Sequence, residues 1–94
     1  MVTEQAALDI ITGKESQFQH AFEAALPHLA GSPGCRSVQL LRGVEHPSRF
    51  LLLVEWNTIE DHTVGFRQSD AFKSWVAAVG PYFDGAPNVE HFAR

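Results

Sequence analysis

The residues best suited to chemistry in this sequence lie in one stretch of the chain, between positions 56 and 75. Trp56 closes an apolar run, His62 follows on a predicted helix, and aromatic rings recur behind it at Phe66, Phe72 and Trp75. An indole, an imidazole and several rings with few polar neighbours favour an apolar pocket. Such a pocket suits a flat, apolar, redox-active molecule better than a sugar, a phosphate or a nucleic acid.

His62 and Trp56 are the candidate catalytic residues. An imidazole has an unperturbed pKa of about 6.5, so His62 can act as a proton acceptor or an orienting donor near neutral pH. The alternative is a surface histidine, or one whose hydrogen bonds are satisfied within the fold. Trp56 would orient the substrate, because a buried indole N–H needs a partner and an apolar pocket offers few besides a ligand. The alternative for Trp56 is a plain core residue.

The candidate substrate-binding residues outside this pair are one cation, one apolar strand residue, Leu52, and several aromatic rings. Arg67 can hold an enolate or a phenolate, or it can be a solvated helix charge. The aromatic candidates would line or close the pocket, or else pack in the core without a further role: Phe66, Phe72, Trp75 and Tyr82. His91 lies near the C-terminus. Contact of its side chain with the pocket or with a partner copy is one interpretation, but we favour a histidine that makes neither contact.

The composition argues against several classes of function. Cys35 is the single cysteine, which rules out an internal disulfide and is typical of a reducing compartment. The net charge of −4 and the scattered Lys and Arg side chains argue against a nucleic-acid partner. No histidine pair or acid pattern completes a metal site, so we expect no metal and no cofactor. Without a signal peptide or an apolar run of about 20 residues, we expect a cytoplasmic protein with no membrane contact.

Turn signals and periodicity divide residues 1–94 into the strands and helices of a single domain. We predict strands at 6–11, 35–42, 50–56 and 88–92, and helices at 15–30, 58–68 and 71–79. Thr58 is the predicted N-cap of the middle helix, and Pro27 is expected to kink the first helix or end it early. This order predicts an α+β fold, the ferredoxin-like split βαβ arrangement with an antiparallel four-stranded sheet and helices on one face.

The predicted strand at 50–56 has no polar side. Phe50, Leu52 and Val54 point one way, while Leu51 and Leu53 point the other. A sheet wetted on one face alternates apolar and polar residues, so both faces of this strand are expected to be buried. The helices can cover one face, and a homodimer packed through the other sheet face would cover the second. The alternative is that the extra leucines are tolerated in solvent.

Five short segments stand in a characteristic order along nearly the whole chain: Pro33-Gly34-Cys35, Glu55-Trp56, Glu60-Asp61-His62, the run from Phe66 to Phe72, and Glu90-His91-Phe92. Together they resemble the antibiotic biosynthesis monooxygenase (ABM) superfamily of dimeric α/β-barrel proteins. The resemblance implies two ferredoxin-like subunits packed sheet to sheet, each with a pocket between its sheet and its helices. Characterised members include cofactor-free oxygenases that convert phenols or quinols to quinones, and others that degrade haem.

The resemblance also carries over to single residues. Trp56 matches a tryptophan on the third strand that is implicated in the polyketide-oxidising members. His62 stands where such members can carry a tyrosine, and Leu52 stands where they hold an asparagine, which removes one polar group. The haem-degrading branch needs a tryptophan and an axial histidine where this chain has Phe66 and Val76. We therefore expect no haem turnover.

The residues and the resemblance together predict a cofactor-independent monooxygenase that oxidises a quinol or an electron-rich phenolic or polyketide-like molecule with O2. His62 would be the base or its relay, Trp56 would orient the ring, and the remaining rings would exclude water. Two alternatives stay open. One is a non-oxidative, isomerase-type enzyme acting on a small carbonyl compound, and the other is a non-catalytic dimer that binds a small molecule.

Overall fold

The structure is a computed structural model that describes all 94 residues, and one antiparallel sheet organises it. The elements follow the order β1 (Val2–Asp9), α1 (Glu15–Ala30), β2 (Cys35–Arg42), β3 (Arg49–Trp56), a π-helical segment (Asp61–Phe66), α2 (Asp70–Val79), a 3-10 turn (Gly80–Tyr82) and β4 (Asn88–Phe92). The strands lie in the order β2-β3-β1-β4. The predicted α+β ferredoxin-like fold is confirmed. None of the helices combines the length and the apolar composition that crossing a membrane requires.

Strand β1 differs from its predicted bounds and brings an acidic residue into the sheet. It spans Val2–Asp9 rather than 6–11, and beyond it Ile10 forms only an isolated bridge with Phe83. The alternation of buried side chains begins at Glu4 and continues through Ala6 and Leu8. Polar side chains near the N-terminus obscure this strand in the sequence. The N-terminal residues nevertheless form a strand of the sheet, because β3 pairs with them on one side and β4 on the other.

Helix α1 has the predicted bounds, and it buries a stripe of apolar side chains: Phe18, Phe22, Ala25 and Leu29. Pro27 lies within the last turn, and the helix continues past it to Ala30. The glycine at the C-cap, Gly31, does not adopt the left-handed conformation, because its φ is −82°. Glycine is favoured at this position for a steric reason instead, because a Cβ at Gly31 would come within 2.8 Å of the carbonyl oxygen of Pro27.

The predicted regular helix at 58–68 is wrong, because its central part is a π-helix, Asp61–Phe66. Thr58 does cap, as predicted, the helical turn at 59–60 that leads into this segment. The Asp61 N–H donates to Thr58 Oγ1, and the Thr58 N–H donates to Asp61 Oδ2, both at 3.2 Å. A wide turn follows, in which the Arg67 N–H donates to the carbonyl oxygen of His62 at 3.1 Å. The side chains of His62 and Phe66 are both buried as a result.

The outer face of the sheet, which the helices do not cover, carries a small apolar patch. Leu51 pairs with Ala7 on one side and with Leu41 on the other. The side chain of Leu51 is half-buried, while that of Leu41 is 42% exposed. The predicted burial of both faces of β3 is therefore only partial within one subunit. The homodimer through this face stays a prediction.

Candidate active site

A cavity of about 390 Å³ lies between the sheet and the helices, toward the end of the core that contains the π-helical segment. Its walls are mainly apolar, since 10 of its 14 lining residues are hydrophobic. The sheet contributes Leu52 and Val89, and the helical side contributes a wall of rings: Phe66, Phe72 and Trp75. The ring of Phe66 meets Phe72 edge-on at a centroid distance of 5.3 Å and Trp75 at 6.3 Å. A flat apolar molecule fits such a wall.

A buried polar cluster interrupts this apolar surface at Glu4 and His62. The side chains of both residues line the cavity, and each residue is at most 5% exposed. The indole N–H of Trp56 donates to Glu4 Oε1 at 3.0 Å, and His62 Nε2 lies 3.4 Å from the same oxygen. His62 Nδ1 is 2.8 Å from Nε2 of His91 on the neighbouring strand β4. The cluster therefore connects the cavity to a partly exposed imidazole.

Local structure explains why these four side chains meet. Glu4 sits on the central strand, opposite Val54 of β3 and opposite His91 of β4. Residues that face each other across an antiparallel pair project on the same side of the sheet. The π-helical segment then places the His62 ring on the Trp56 ring, with centroids 5.3 Å apart and planes at 16°. The His62 imidazole therefore stacks on the Trp56 indole, while its two ring nitrogens lie next to Glu4 and His91.

Burial controls the protonation of this cluster. It raises the pKa of the Glu4 carboxyl above its ordinary value, against smaller lowering effects of the Trp56 hydrogen bond and the Arg67 charge. Burial also lowers the pKa of His62 to about 4, helped by the positive charge of Arg67 and by His91. His62 is consequently neutral at neutral pH, and its contact with Glu4 is a polar contact rather than an ion pair. Burial and Arg67 lower the pKa of His91 as well.

Two donors at the cavity have no partner within the protein. Arg67 lines the cavity and is exposed, and its guanidinium makes no hydrogen bond or ion pair with another side chain. It is therefore free to bind an anionic oxygen of a ligand. Trp75 Nε1 is enclosed by protein atoms and has no hydrogen-bond acceptor. No group of three or more His, Cys, Asp or Glu side chains converges as metal ligands would.

The structure brings six of the eight predicted site residues to the cavity: His62, Leu52, Phe66, Arg67, Phe72 and Trp75. Trp56 does not line it, which corrects the expected orienting contact. Its side chain is completely buried beneath His62, and Glu4 rather than a ligand accepts its N–H. Tyr82 is also outside the cavity lining, because the 3-10 turn directs its half-buried side chain against the core.

Sequence reasoning missed Glu4 and gave little weight to His91. Glu4 follows the same every-second-residue alternation as Ala6 and Leu8, so the signal was present in the sequence. His91 becomes visible only through the pairing of β4 with β1, which no local pattern reveals. The other lining residues outside the predicted set are all apolar: Ala6, Leu8, Leu29, Val76, Phe83, Pro87 and Val89.

The comparison with known proteins decides the family. Residues 1–78 match the family model described as "Antibiotic biosynthesis monooxygenase". The chain belongs to this family. The chain is also similar to the uncharacterized protein YczJ of Bacillus subtilis, with 42% identity over 98% of this chain and 97% of that protein.

Solved structures of related proteins agree with this assignment. A protein of Bordetella bronchiseptica that carries the family name is 35% identical, with a TM-score of 0.96 over 99% of this chain and 95% of that one. SnoaB, a cofactor-independent oxygenase from Streptomyces nogalater, shares the fold at a TM-score of 0.84 and 16% identity, over 99% of this chain and 91% of SnoaB. The second likeness concerns the fold alone.

Proposed function

We propose that this ABM-family protein is a cofactor-independent monooxygenase that oxidises a quinol or an electron-rich phenol with O2. The observation that supports it is the combination in one apolar cavity of a buried Glu4–His62–His91 cluster and the unpaired guanidinium of Arg67. The cluster can remove a proton from a bound hydroxyl. The cation can then stabilise the resulting anion in a site from which water is largely excluded.

The oxidation needs little from the protein beyond a base, a cation and an apolar cavity. Loss of the hydroxyl proton converts a phenol to a phenolate, which is electron-rich enough to react with O2 directly. One oxygen atom of O2 forms a new carbonyl on the ring, and the second leaves as water, which is balanced by the hydroxyl proton and one hydrogen from a ring carbon. Phe66, Phe72 and Trp75 would hold the ring and exclude water, and Leu52 keeps the floor of the cavity apolar. His62 serves as the base or as its relay.

This proposal predicts oxygen uptake with naphthoquinol-type substrates and no added flavin. Replacing His62 with alanine should lower the rate by about 100-fold or more, which is the usual weight of general acid–base catalysis. His20→Ala is the matched control, because His20 is an exposed histidine on α1. A wild-type rate no higher than autoxidation across a panel of quinols would contradict the proposal.

A non-oxidative enzyme of the isomerase type is the second candidate. A carboxyl and an imidazole beside an apolar cavity also suit proton transfer between carbon atoms of a small carbonyl compound. Turnover in the absence of oxygen would favour this candidate. In a non-catalytic binding dimer, the third candidate, His62→Ala and Trp56→Ala would alter only ligand affinity or stability.

We further propose that the protein acts as a homodimer packed through the outer face of the sheet. The apolar patch around Leu51 and Leu41 would supply the centre of that interface. Leu51→Lys should convert a dimer to a monomer in analytical ultracentrifugation, whereas Glu23→Lys on the exposed side of α1 should not. A wild-type monomer at micromolar concentration would contradict the dimer.

A further inference from the structure

We propose that Glu4, rather than His62, contacts the substrate hydroxyl and accepts its proton, and that His62 and His91 pass this proton to the surface. The proposal rests on the proposed function, because it names the group that performs its first step. Glu4 lies on β1 and was not expected at the site. Three observations support the proposal. They are the place of Glu4 in the cavity lining, the different surroundings of its two carboxylate oxygens, and the contacts that the His62 ring makes within the protein.

Both nitrogens of the His62 ring already face protein groups. Nδ1 is 2.8 Å from His91 Nε2, which is a good hydrogen-bond distance. Nε2 faces Glu4 Oε1 at 3.4 Å. One face of the ring is covered by Trp56, whose plane is nearly parallel to it. Nδ1 is therefore engaged, and Nε2 lies close to the Glu4 carboxyl without a hydrogen bond to it, so a substrate hydroxyl that approaches Nε2 also meets that carboxyl.

The two oxygens of Glu4 have different surroundings. Oε1 accepts the Trp56 N–H at 3.0 Å and lies 3.4 Å from His62 Nε2, so it already has partners within the protein. Oε2 has no hydrogen-bond partner in the protein. The only enclosed side-chain nitrogen or oxygen without a partner in the whole chain is Trp75 Nε1, so Glu4 Oε2 is not enclosed. Because Glu4 lines the cavity and is only 5% exposed, Oε2 is the oxygen that is open to it.

The cluster also provides a route away from the cavity. If His62 carries its proton on Nδ1 and shares it with His91, the Glu4 carboxyl can turn its newly protonated oxygen toward His62 and pass that proton to Nε2, while its other oxygen accepts the Trp56 N–H. His62 then releases its Nδ1 proton to Nε2 of His91. The His91 side chain is partly exposed, so its other nitrogen can return a proton to solvent. Each transfer breaks one N–H or O–H bond and forms another, and no charge accumulates on the buried ring. The low pKa of His62 suits a group that passes a proton on rather than storing it.

The first test needs no turnover. Under anaerobic conditions at mildly alkaline pH, the affinities of 1-naphthol and 1-methoxynaphthalene are compared by calorimetry. The methyl ether has the same rings but no proton to donate. Wild-type protein should prefer naphthol by about tenfold or more, because a hydrogen bond to a charged acceptor is roughly twice as strong as a neutral one. In Glu4→Gln the preference should fall to about threefold or less, while the affinity for the ether stays the same.

Glutamine keeps an oxygen that can accept the Trp56 N–H, so Glu4→Gln should still fold, and thermal unfolding verifies this. Glu23→Gln, an exposed glutamate on α1, is the matched control for loss of one negative charge. A preference for naphthol that is absent in wild type, or is unchanged in Glu4→Gln, overturns the assignment of Glu4.

The second test measures oxygen uptake with a naphthoquinol. Glu4→Gln should lose about 100-fold or more in kcat. Added formate should restore part of the rate to Glu4→Ala, since formate can replace a missing carboxylate, but should restore none to His62→Gln. Equal formate effects on both variants would contradict the assignment. If wild type binds naphthol with the expected preference but takes up no oxygen, the monooxygenase proposal fails while the Glu4 contact stands.

Discussion

The two ends of this small core use similar side chains for different purposes. At the α1 end, Phe18 packs against both Phe22 and Phe50 with no buried polar side chain among them, and Phe18 is completely buried. At the π-helix end, Trp56 and Phe66 surround His62, and Glu4 is buried beside them. Two of the three buried polar residues of the chain lie at this second end, and so does the cavity.

The difference indicates which end is built for stability and which for chemistry. Aromatic rings packed against one another bury a large apolar area, and the α1 end does so. Burying a carboxyl and an imidazole costs free energy unless they are hydrogen-bonded, and the π-helix end retains them next to open space. Perturbed ionisable groups beside a cavity are typical of functional sites. The π-helix, an uncommon structure that often occurs at functional sites, lies at the same end.

The largest expected effect of a single substitution on stability is at the α1 end. Phe18 meets the Phe50 ring edge-on at 5.0 Å and is 0% exposed, so Phe18→Ala would leave a cavity that the surrounding rings cannot fill. We expect a loss of about 3–5 kcal/mol in the free energy of unfolding. Urea unfolding followed by circular dichroism measures it. A loss below about 1 kcal/mol would show that this end is not the stabilising one.

A smaller effect is expected in the dependence of stability on pH. The pKa of His62 is lowered from 6.5 to about 4, so between these values the unfolded chain binds a proton that the folded chain does not. Stability should therefore fall as the pH falls through this range, by up to about 3 kcal/mol at pH 4. His91 acts in the same direction, since burial and the charge of Arg67 lower its pKa as well. Glu4 acts in the opposite direction, because its raised pKa favours the folded state as the pH falls toward 4.5.

Comparing wild type with His62→Gln separates these contributions. The glutamine side chain cannot be protonated in this range. The free energy of unfolding of His62→Gln should therefore fall less steeply than that of wild type between pH 6.5 and pH 4. Parallel curves for the two proteins would mean that His62 is not buried as a neutral ring.

The smallest predicted difference compares the two tryptophans. Trp56→Phe removes the donor to Glu4 Oε1 and should cost about 1–3 kcal/mol, because a buried acceptor loses its partner. Trp75→Phe makes a similar change in volume but removes an N–H that has no acceptor. It should therefore cost clearly less. Chemical denaturation of both variants gives the comparison, and equal losses would show that the Trp56–Glu4 hydrogen bond contributes nothing.

The sequence predicts the fold well wherever side chains repeat with a regular period. Helix α1 and strand β2 have their predicted bounds, because an apolar stripe defines the first and turn residues enclose the second. The π-helix could not be distinguished from an α-helix. His62 and Phe66 are spaced as on one face of a regular helix, and the extra residue in the turn leaves no mark on the pattern.

The site was less predictable than the fold, because its polar contacts join distant parts of the chain. The indole N–H of Trp56 was expected to donate to a bound ligand. Its acceptor is instead Glu4, which lies 52 residues earlier in the sequence. The contact between His62 and His91 spans 29 residues and depends on the pairing of β1 with β4. Residue types can therefore indicate which end of the core is reactive, but strand register decides which groups meet there.

A crystal structure of the protein with 1-naphthol bound under anaerobic conditions tests the central claim most directly. The account predicts the naphthol rings in the cavity against Phe66, with the hydroxyl oxygen about 2.6–3.2 Å from Glu4 Oε2. A naphthol bound elsewhere on the protein, or one whose hydroxyl oxygen lies outside hydrogen-bond distance of Glu4, would contradict the account.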